Sequence, residues 1–364
     1  MGQRNSSELA MGHLQSQPGS AVGSAASFRG YDLIGDVHGC ANTLSKLLEV
    51  LGYRQVNGIY QHRQRQAIFI GDIVDRGPRV REALHLVRDM VDRGSARIVM
   101  GNHEYNALCY CTRSRPGSQH EYLREHSPRH NRLIADTLEQ FANYGHEWNE
   151  FLEWFYTLPI FLELDGFRAV HACWDDQLIE QFKTQYQSNL IDEDFLHASV
   201  ASGSFAFKVM DRLLRGTDMR LPDNRHMVGR DGLTRHFFRT LFWADQPRTY
   251  GDIVFQPDPL PDDIASRPFT DAEQARLLRY PVSEPPVFFG HYWMQGTPKP
   301  IKPNLACLDY SAVKYGKLVA YRMDGETKLD ARKFVWVDVP PPELPEPDDY
   351  DDDYVEYESP SDYR

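Results

Sequence analysis

The chain has 364 residues, 41% of them hydrophobic and 12% aromatic, enough for a packed core in one elaborated domain or two. Its net charge of −12 is uneven: residues 340–364 hold ten acidic side chains and one Arg, so the body carries only about −3. This balance excludes a basic nucleic-acid groove read from overall charge, and no apolar run is long enough to span a membrane.

In chain order, residues 1–28 are rich in Ser, Gly, Ala and Gln, and are expected to be disordered. Tyr31 to Ile34 reads as a short strand ending at Gly35. Leu44, Leu47, Leu48 and Leu51 then recur at helical spacing up to Gly52. Ala67 to Ile70 is a second strand, followed by a helix carrying Ala83, Leu84, Val87 and Val91 and stopped near Gly94. Arg97 to Met100 is a third strand. The rhythm predicts βαβαβ with a largely parallel core, whose loops gather at one sheet edge. Residues 112–132 read as a cover loop, and 133–157 as two aromatic-rich helical stretches broken near Gly145. Asp165-Gly166 between two apolar runs predicts a hairpin. Residues 175–281, with scattered Gly, Pro and Arg, read as an inserted cap. Val287 to Gly290, Leu305 to Asp309, Leu318 to Arg322 and Phe334 to Val337 read as a second set of strands. The main domain is expected over 29–339, and the acidic tail, 340–364, is expected to be unfolded.

Five cysteines without C-x-x-C pairs argue against a disulfide framework or a thiolate zinc site, and fit a reducing cytoplasm. The chemistry lies in loops that follow strands: Gly35-Asp36-Val37-His38-Gly39, Gly71 to Gly77 with Asp72, Asp75 and Arg76, Gly101-Asn102-His103-Glu104, His171, and Gly290-His291. Glycines let these loops turn sharply. The delivered donors are oxygen and imidazole nitrogen, which suit manganese, iron, zinc or magnesium rather than a soft-thiolate metal. Held together, so many ligands require two ions, and a bridging carboxylate can hold a pair about 3.5–4 Å apart. Turn chemistry alone accounts for one such loop, but not for three that each carry His or a second Asp.

The three glycine-bracketed motifs resemble the calcineurin-like metallophosphoesterase superfamily and, more narrowly, its phosphoprotein phosphatase branch, with the pattern G-D-x-H-G, G-D-x-x-D-R-G, G-N-H-E. The resemblance implies an α/β fold, a β-sandwich flanked by helices with the metals at its edge. It implies that Asp36 and His38 ligate one ion, that Asp72 bridges, and that Asn102, His171 and His291 ligate the second. It makes His103 the general acid, oriented by Asp75, and Arg76 the phosphate clamp, with Asn102 also near substrate. It implies hydrolysis of phosphate esters by hydroxide bridging two divalent ions, manganese foremost. The phosphorylated substrate is a phosphoprotein or, alternatively, a symmetrical dinucleoside tetraphosphate; no membrane or nucleic-acid partner is expected. A binding module without turnover is the reading from another class.

The chain departs from the pattern in three places. His171-Ala172-Cys173 stands where His-Gly-Gly is usual, and Phe289 to Trp293 looks like the bacterial Gly-His form. A second phosphate-binding Arg has no motif of its own here, leaving Arg239 and Arg248 as candidates. Glu104 reads as a cap of the helix that follows it.

Overall fold

A computed structural model describes residues 28–228, 234–255 and 260–340. The two segments expected to be disordered, 1–28 and 340–364, fall outside the described residues except for the innermost residue of each.

The first third of the chain forms β1 (Gly30–Ile34), α1 (Ala41–Leu51), β2 (Arg54–Val56), β3 (Ile59–Gln61), β4 (Arg65–Phe69), α2 (Val80–Asp92) and β5 (Ala96–Ile98). The four periodic leucines of α1 are buried, and the helix stops at Gly52, whose φ of 97° favours glycine. β1 pairs parallel with β4, and β4 parallel with β5, as the alternating pattern predicts. β2 and β3 form a small hairpin, absent from the predicted elements, at Asn57-Gly58, a two-residue turn signal with φ of 52° and 83°.

The chain continues with α3 (Asn102–Cys111), α4 (Pro128–Gln140), α5 (Gly145–Phe155) and the predicted hairpin β6 (Phe161–Leu164) and β7 (Phe167–Val170). Next come α6 (Asp176–Tyr186), α7 (Glu193–Ser199), α8 (Phe205–Arg215), β8 (Thr217–Arg220), β9 (Met227–Val228), β10 (Thr234–Arg235), β11 (Phe237–Thr240), α9 (Asp262–Ala265) and α10 (Asp271–Arg276). The last strands are β12 (Val287–Phe289), β13 (Leu305–Cys307), β14 (Asp309–Tyr310), β15 (Lys317–Met323) and β16 (Phe334–Asp338).

Two sheets form a sandwich. One runs β14-β15-β1-β4-β5 with β16 on β15, the other β13-β12-β7-β6. Leu33, Ile68 and Val99 from the first meet Ala169, Phe288 and Ala306 from the second in a dry layer between them. The outer face of the first sheet is covered by α1 and α2, which bury Leu44, Leu48, Leu84 and Val87 against Ile34 and Phe69. Burying each such side chain contributes roughly 1.5–3 kcal/mol before entropy is counted.

The late strands distribute differently from the expected second set. β15 and β16 join the first sheet, because β15 is buried along nearly its whole length and pairs β1, β14 and β16. Leu305 to Asp309, read as one strand, crosses between the sheets, with β13 in one and β14 in the other.

Within 175–281 the structure has two parts. Helices α6 to α8 pack into the main core through Phe182, Phe195, Leu196, Val209 and Leu213. Residues beyond Gly216 carry their own small cluster around Leu221, Phe238, Tyr250 and Ile264, built on the ribbon of β8 and β11. Among the described residues no helix is long and apolar enough to cross a membrane.

Candidate metal centre

The loops after β1, β4 and β5 leave the same sheet edge and lock together through their backbones. Val37 and His38 N–H both donate to Asp72 O, at 3.0 and 2.8 Å, and Gly39 N–H donates to Ile73 O. The approach is close enough to require glycine. A Cβ on Gly77 would lie 1.8 Å from His38 O, and one on Gly101 would lie 2.1 Å from Asp72 Oδ1. Positive φ at His38, Asp72, Asp75 and Arg76 marks backbone held against its preference, as at many functional loops.

Glu104 fastens the assembly. It caps α3, accepting from Gly101 N–H at 2.9 Å, and it also accepts from Asp72, Ile73 and Val74 N–H at 2.9, 2.7 and 3.3 Å. Burial pushes its carboxyl pKa up, Asp72 adds to that, and the N–H donors pull it back. Replacing it with Gln turns an amide N–H₂ toward backbone donors. Glu104→Gln is therefore expected to lose about 2–4 kcal/mol. Urea denaturation of metal-free protein measures this, and an unchanged midpoint would show that the staple contributes nothing.

Asp72 lies at the middle. Its Oδ1 accepts from His103 N–H at 3.0 Å, while Oδ2 stands 3.3 Å from His171 Nε2 and 3.6 Å from His38 Nε2. Burial opposes its charge, but His171 and His103 prevail and hold the carboxyl well below the usual range. Two groups of ligand atoms share it: His38, Asp72 and His103, and Asp72, His171 and His291, with the atoms of each group within 4.8 Å of one another. Asn102 Oδ1 joins the second group, 2.8 Å from both His171 Nε2 and His291 Nδ1.

The rings are oriented from behind. His38 Nδ1 faces Val74 O at 2.9 Å and His171 Nδ1 faces Ile70 O at 2.7 Å, so each presents Nε2 to the site. Burial, then Arg76 and His103, lower His38 to about 3, which leaves it neutral. His171 is pushed up to about 10, against burial, by the Asp72 carboxylate. Asp36 accepts from His291 N–H at 3.0 Å through Oδ2, while its buried Oδ1 has no hydrogen-bond partner. Burial and the neighbouring Asp309 hold Asp36 well above the usual carboxylate range. An orphaned buried carboxylate oxygen beside further carboxylates and imidazoles fits a divalent cation.

His103 stands apart in its support. Its Nδ1 lies 2.6 Å from Asp75 Oδ2, and Thr137 fixes Asp75, donating to Oδ1 and accepting from Asp75 N–H at 3.0 Å. Arg76 NH1 lies 3.5 Å from His38 Nε2 at the pocket wall. Of the two candidate arginines, Arg239 lines this pocket; Arg248 does not, its backbone N–H capping at Asp252 in the outer module. The structure thus brings together Asp36, His38, Asp72, Asn102, His103, His171 and His291, with Asp75 behind and Arg76 at the wall. The sequence reading missed Asp309, which lines the pocket, and Thr137 behind Asp75. Asp309 does end an apolar run, the same signal that marked the others.

A family model described as calcineurin-like phosphoesterase matches residues 31–291. Among curated proteins, the chain is 49% identical over 73 residues to the asymmetrical bis(5'-nucleosyl)-tetraphosphatase PrpE of Oceanobacillus iheyensis, spanning 20% of this chain and 29% of that protein. It is 40% identical over 74 residues to the PrpE of Bacillus subtilis, spanning 30% of that protein. The match therefore covers under a third of those relatives' length. Solved structures with overall likeness include a cold-active protein-tyrosine phosphatase of a Shewanella species (18% identity, TM-score 0.44, 86% of this chain and 81% of that one). Another is a protein serine/threonine phosphatase from Saccharomyces cerevisiae (15% identity, TM-score 0.44, 89% of this chain and 83% of that one).

Proposed function

We propose, on the premise that this chain belongs to the calcineurin-like phosphoesterase family, that it is a two-metal hydrolase of phosphate esters, acting on phosphomonoesters in the manner of a protein phosphatase. The observation that carries this reading is the pair of buried ligand groups sharing Asp72, one with His38 and His103 and one with His171 and His291, with Asp36 lining the same pocket. Asp36, His38 and Asp72 would hold one cation, and Asp72, Asn102, His171 and His291 the other. Divalent ions held there would acidify a water and offset charge on phosphate oxygens. The family resemblance puts manganese first, and the mixed oxygen and imidazole donors suit iron, zinc and magnesium as well.

The chain's own residues supply the rest. Arg76 and Arg239, both lining the pocket, offer planar forks of donors to the phosphate. His103 Nε2 delivers a proton to the departing oxygen, and Asp75 holds the ring so that this nitrogen faces the pocket. The free cysteines suit a reducing compartment such as the cytoplasm.

A second reading, hydrolysis of a dinucleoside tetraphosphate, draws on the relatives' names and on the space beside the site. Trp293, Ser311 and Lys314 line both the metal pocket and an adjoining cleft of about 290 Å³. Chelator-stripped protein is expected to lose hydrolysis of p-nitrophenyl phosphate and to regain it with manganese; full activity after stripping would overturn the two-metal reading. Product analysis separates the substrates. Phosphopeptide gives orthophosphate, whereas diadenosine tetraphosphate gives two ADP if cleaved symmetrically or AMP and ATP if asymmetrically.

A further inference from the structure

Tyr292 follows His291 and is fully buried. The turn that carries both is tight: Tyr292 N–H donates to Gly290 O at 2.5 Å, and His291 takes a φ of 60°. The two side chains go to different neighbours. The His291 ring meets Asn102 Oδ1, whereas the Tyr292 hydroxyl reaches the root of the β8–β11 ribbon. There it accepts from Thr217 N–H at 2.9 Å and lies 3.4 Å from both Thr217 Oγ1 and Thr240 O.

Thr217 and Thr240 are cross-strand partners, tied by Thr240 Oγ1 donating to Thr217 Oγ1 at 2.8 Å and Thr217 Oγ1 donating to Thr240 O at 2.9 Å. Gly216 leaves room for this knot, since a Cβ there would sit 2.1 Å from the Tyr292 hydroxyl oxygen. Arg239 precedes Thr240 on β11. It lines the metal pocket, with its guanidinium carbon 5.7 Å from the centroid of the Tyr292 ring. Phe242, Trp243, Phe255 and Phe289 surround that ring, so packing alone would be met by Phe. The hydroxyl is the atom that packing leaves unexplained, and its contacts go to the ribbon root.

We propose that Tyr292 is a positioning residue, whose hydroxyl fixes the root of the β8–β11 ribbon to the His291 turn and thereby holds Arg239 at the phosphate position. The inference rests on the reading of Arg239 as a phosphate-binding group of the hydrolase. It makes one turn responsible for two things, a metal ligand on one side and the register of an arginine on the other.

The test uses full-length, manganese-loaded protein, p-nitrophenyl phosphate as substrate and inorganic phosphate as competitive inhibitor. Arg239→Ala is expected to weaken phosphate inhibition and raise KM by roughly tenfold or more, as loss of a charge-assisted pair should. Tyr292→Phe is expected to produce a smaller shift of the same kind, about threefold or more, and the double variant should match Arg239→Ala alone, because coupled residues do not add. Thr217→Val removes the hydroxyl that lies 3.4 Å from the Tyr292 oxygen and that donates to Thr240 O, with the aromatic ring intact, and is expected to shift phosphate inhibition in the same direction as Tyr292→Phe. Metal content should stay at the wild-type level in every variant. Wild-type phosphate inhibition in Tyr292→Phe, multiplied losses in the double variant, or no effect of Arg239→Ala would each overturn the proposal. Failure of the two-metal reading would show elsewhere, as wild-type hydrolysis that ignores metal removal.

Discussion

His103→Ala is expected to cost about 10²–10⁴-fold in turnover of substrates with poor leaving groups, the usual worth of a positioned general acid. The loss should be far smaller for p-nitrophenyl phosphate, whose leaving oxygen departs without a proton. The structure gives two accounts of this residue. In one, His103 completes a ligand group with His38 and Asp72. In the other, its Nδ1 is committed to Asp75 at 2.6 Å and only Nε2 reaches the pocket, as a proton donor. The buttress favours the second, because the Thr137 hydroxyl fixes both the carboxylate and the backbone N–H of Asp75, making it a hydrogen-bonding partner rather than a bystander. Metal analysis of the variant separates the two. The acid role keeps both ions and discriminates between leaving groups, whereas a ligand role loses an ion and depresses both substrates equally.

Asp72→Asn should be more damaging still. Asp72 Oδ2 faces a histidine from each ligand group, so one carboxylate oxygen serves both positions. The amide keeps the size of the side chain and an acceptor for His103 N–H, but loses the charge that two adjacent dications need between them. Activity is expected to fall by roughly 10³-fold or more, since water activation and phosphate neutralisation both depend on the pair. Both ions should leave in parallel on dialysis. Loss of one ion with the other tightly held would show that the carboxylate is not shared.

The candidate site was legible where its residue pattern is local. Apolar strands, flanking glycines and the residue types between them mark Asp36, His38, Asp72, Asn102 and His103, and the same strand-end logic finds His171 and His291. The supports were illegible because they join segments far apart in sequence. Glu104 caps its own helix, as read, yet it also holds a loop some 30 residues earlier. Thr137 looks like an ordinary helix residue until α4 lies beside Asp75. Arg239 and Arg248 could not be told apart, because the ribbon that carries Arg239 is only four residues wide in each strand and has little periodicity. Parts of residues 175–281 carry local helix signals. Asp175, Asp192 and Ser204 each cap a helix through a side-chain oxygen, and Ala206, Val209, Met210, Leu213 and Leu214 repeat at helical spacing. The late strands were misassigned for another reason: strand content is visible in sequence, but the sheet a strand joins depends on long-range pairing.

The convergence of distant loops on Asp72 predicts two cation positions divided by one carboxylate. Anomalous diffraction from crystals grown with manganese measures this directly. Two peaks about 3.5–4 Å apart are expected, one on each side of Asp72. Asp36 and His38 should border the first, and Asn102, His171 and His291 the second. A single peak, or peaks that leave Asp72 uncoordinated, would contradict the account.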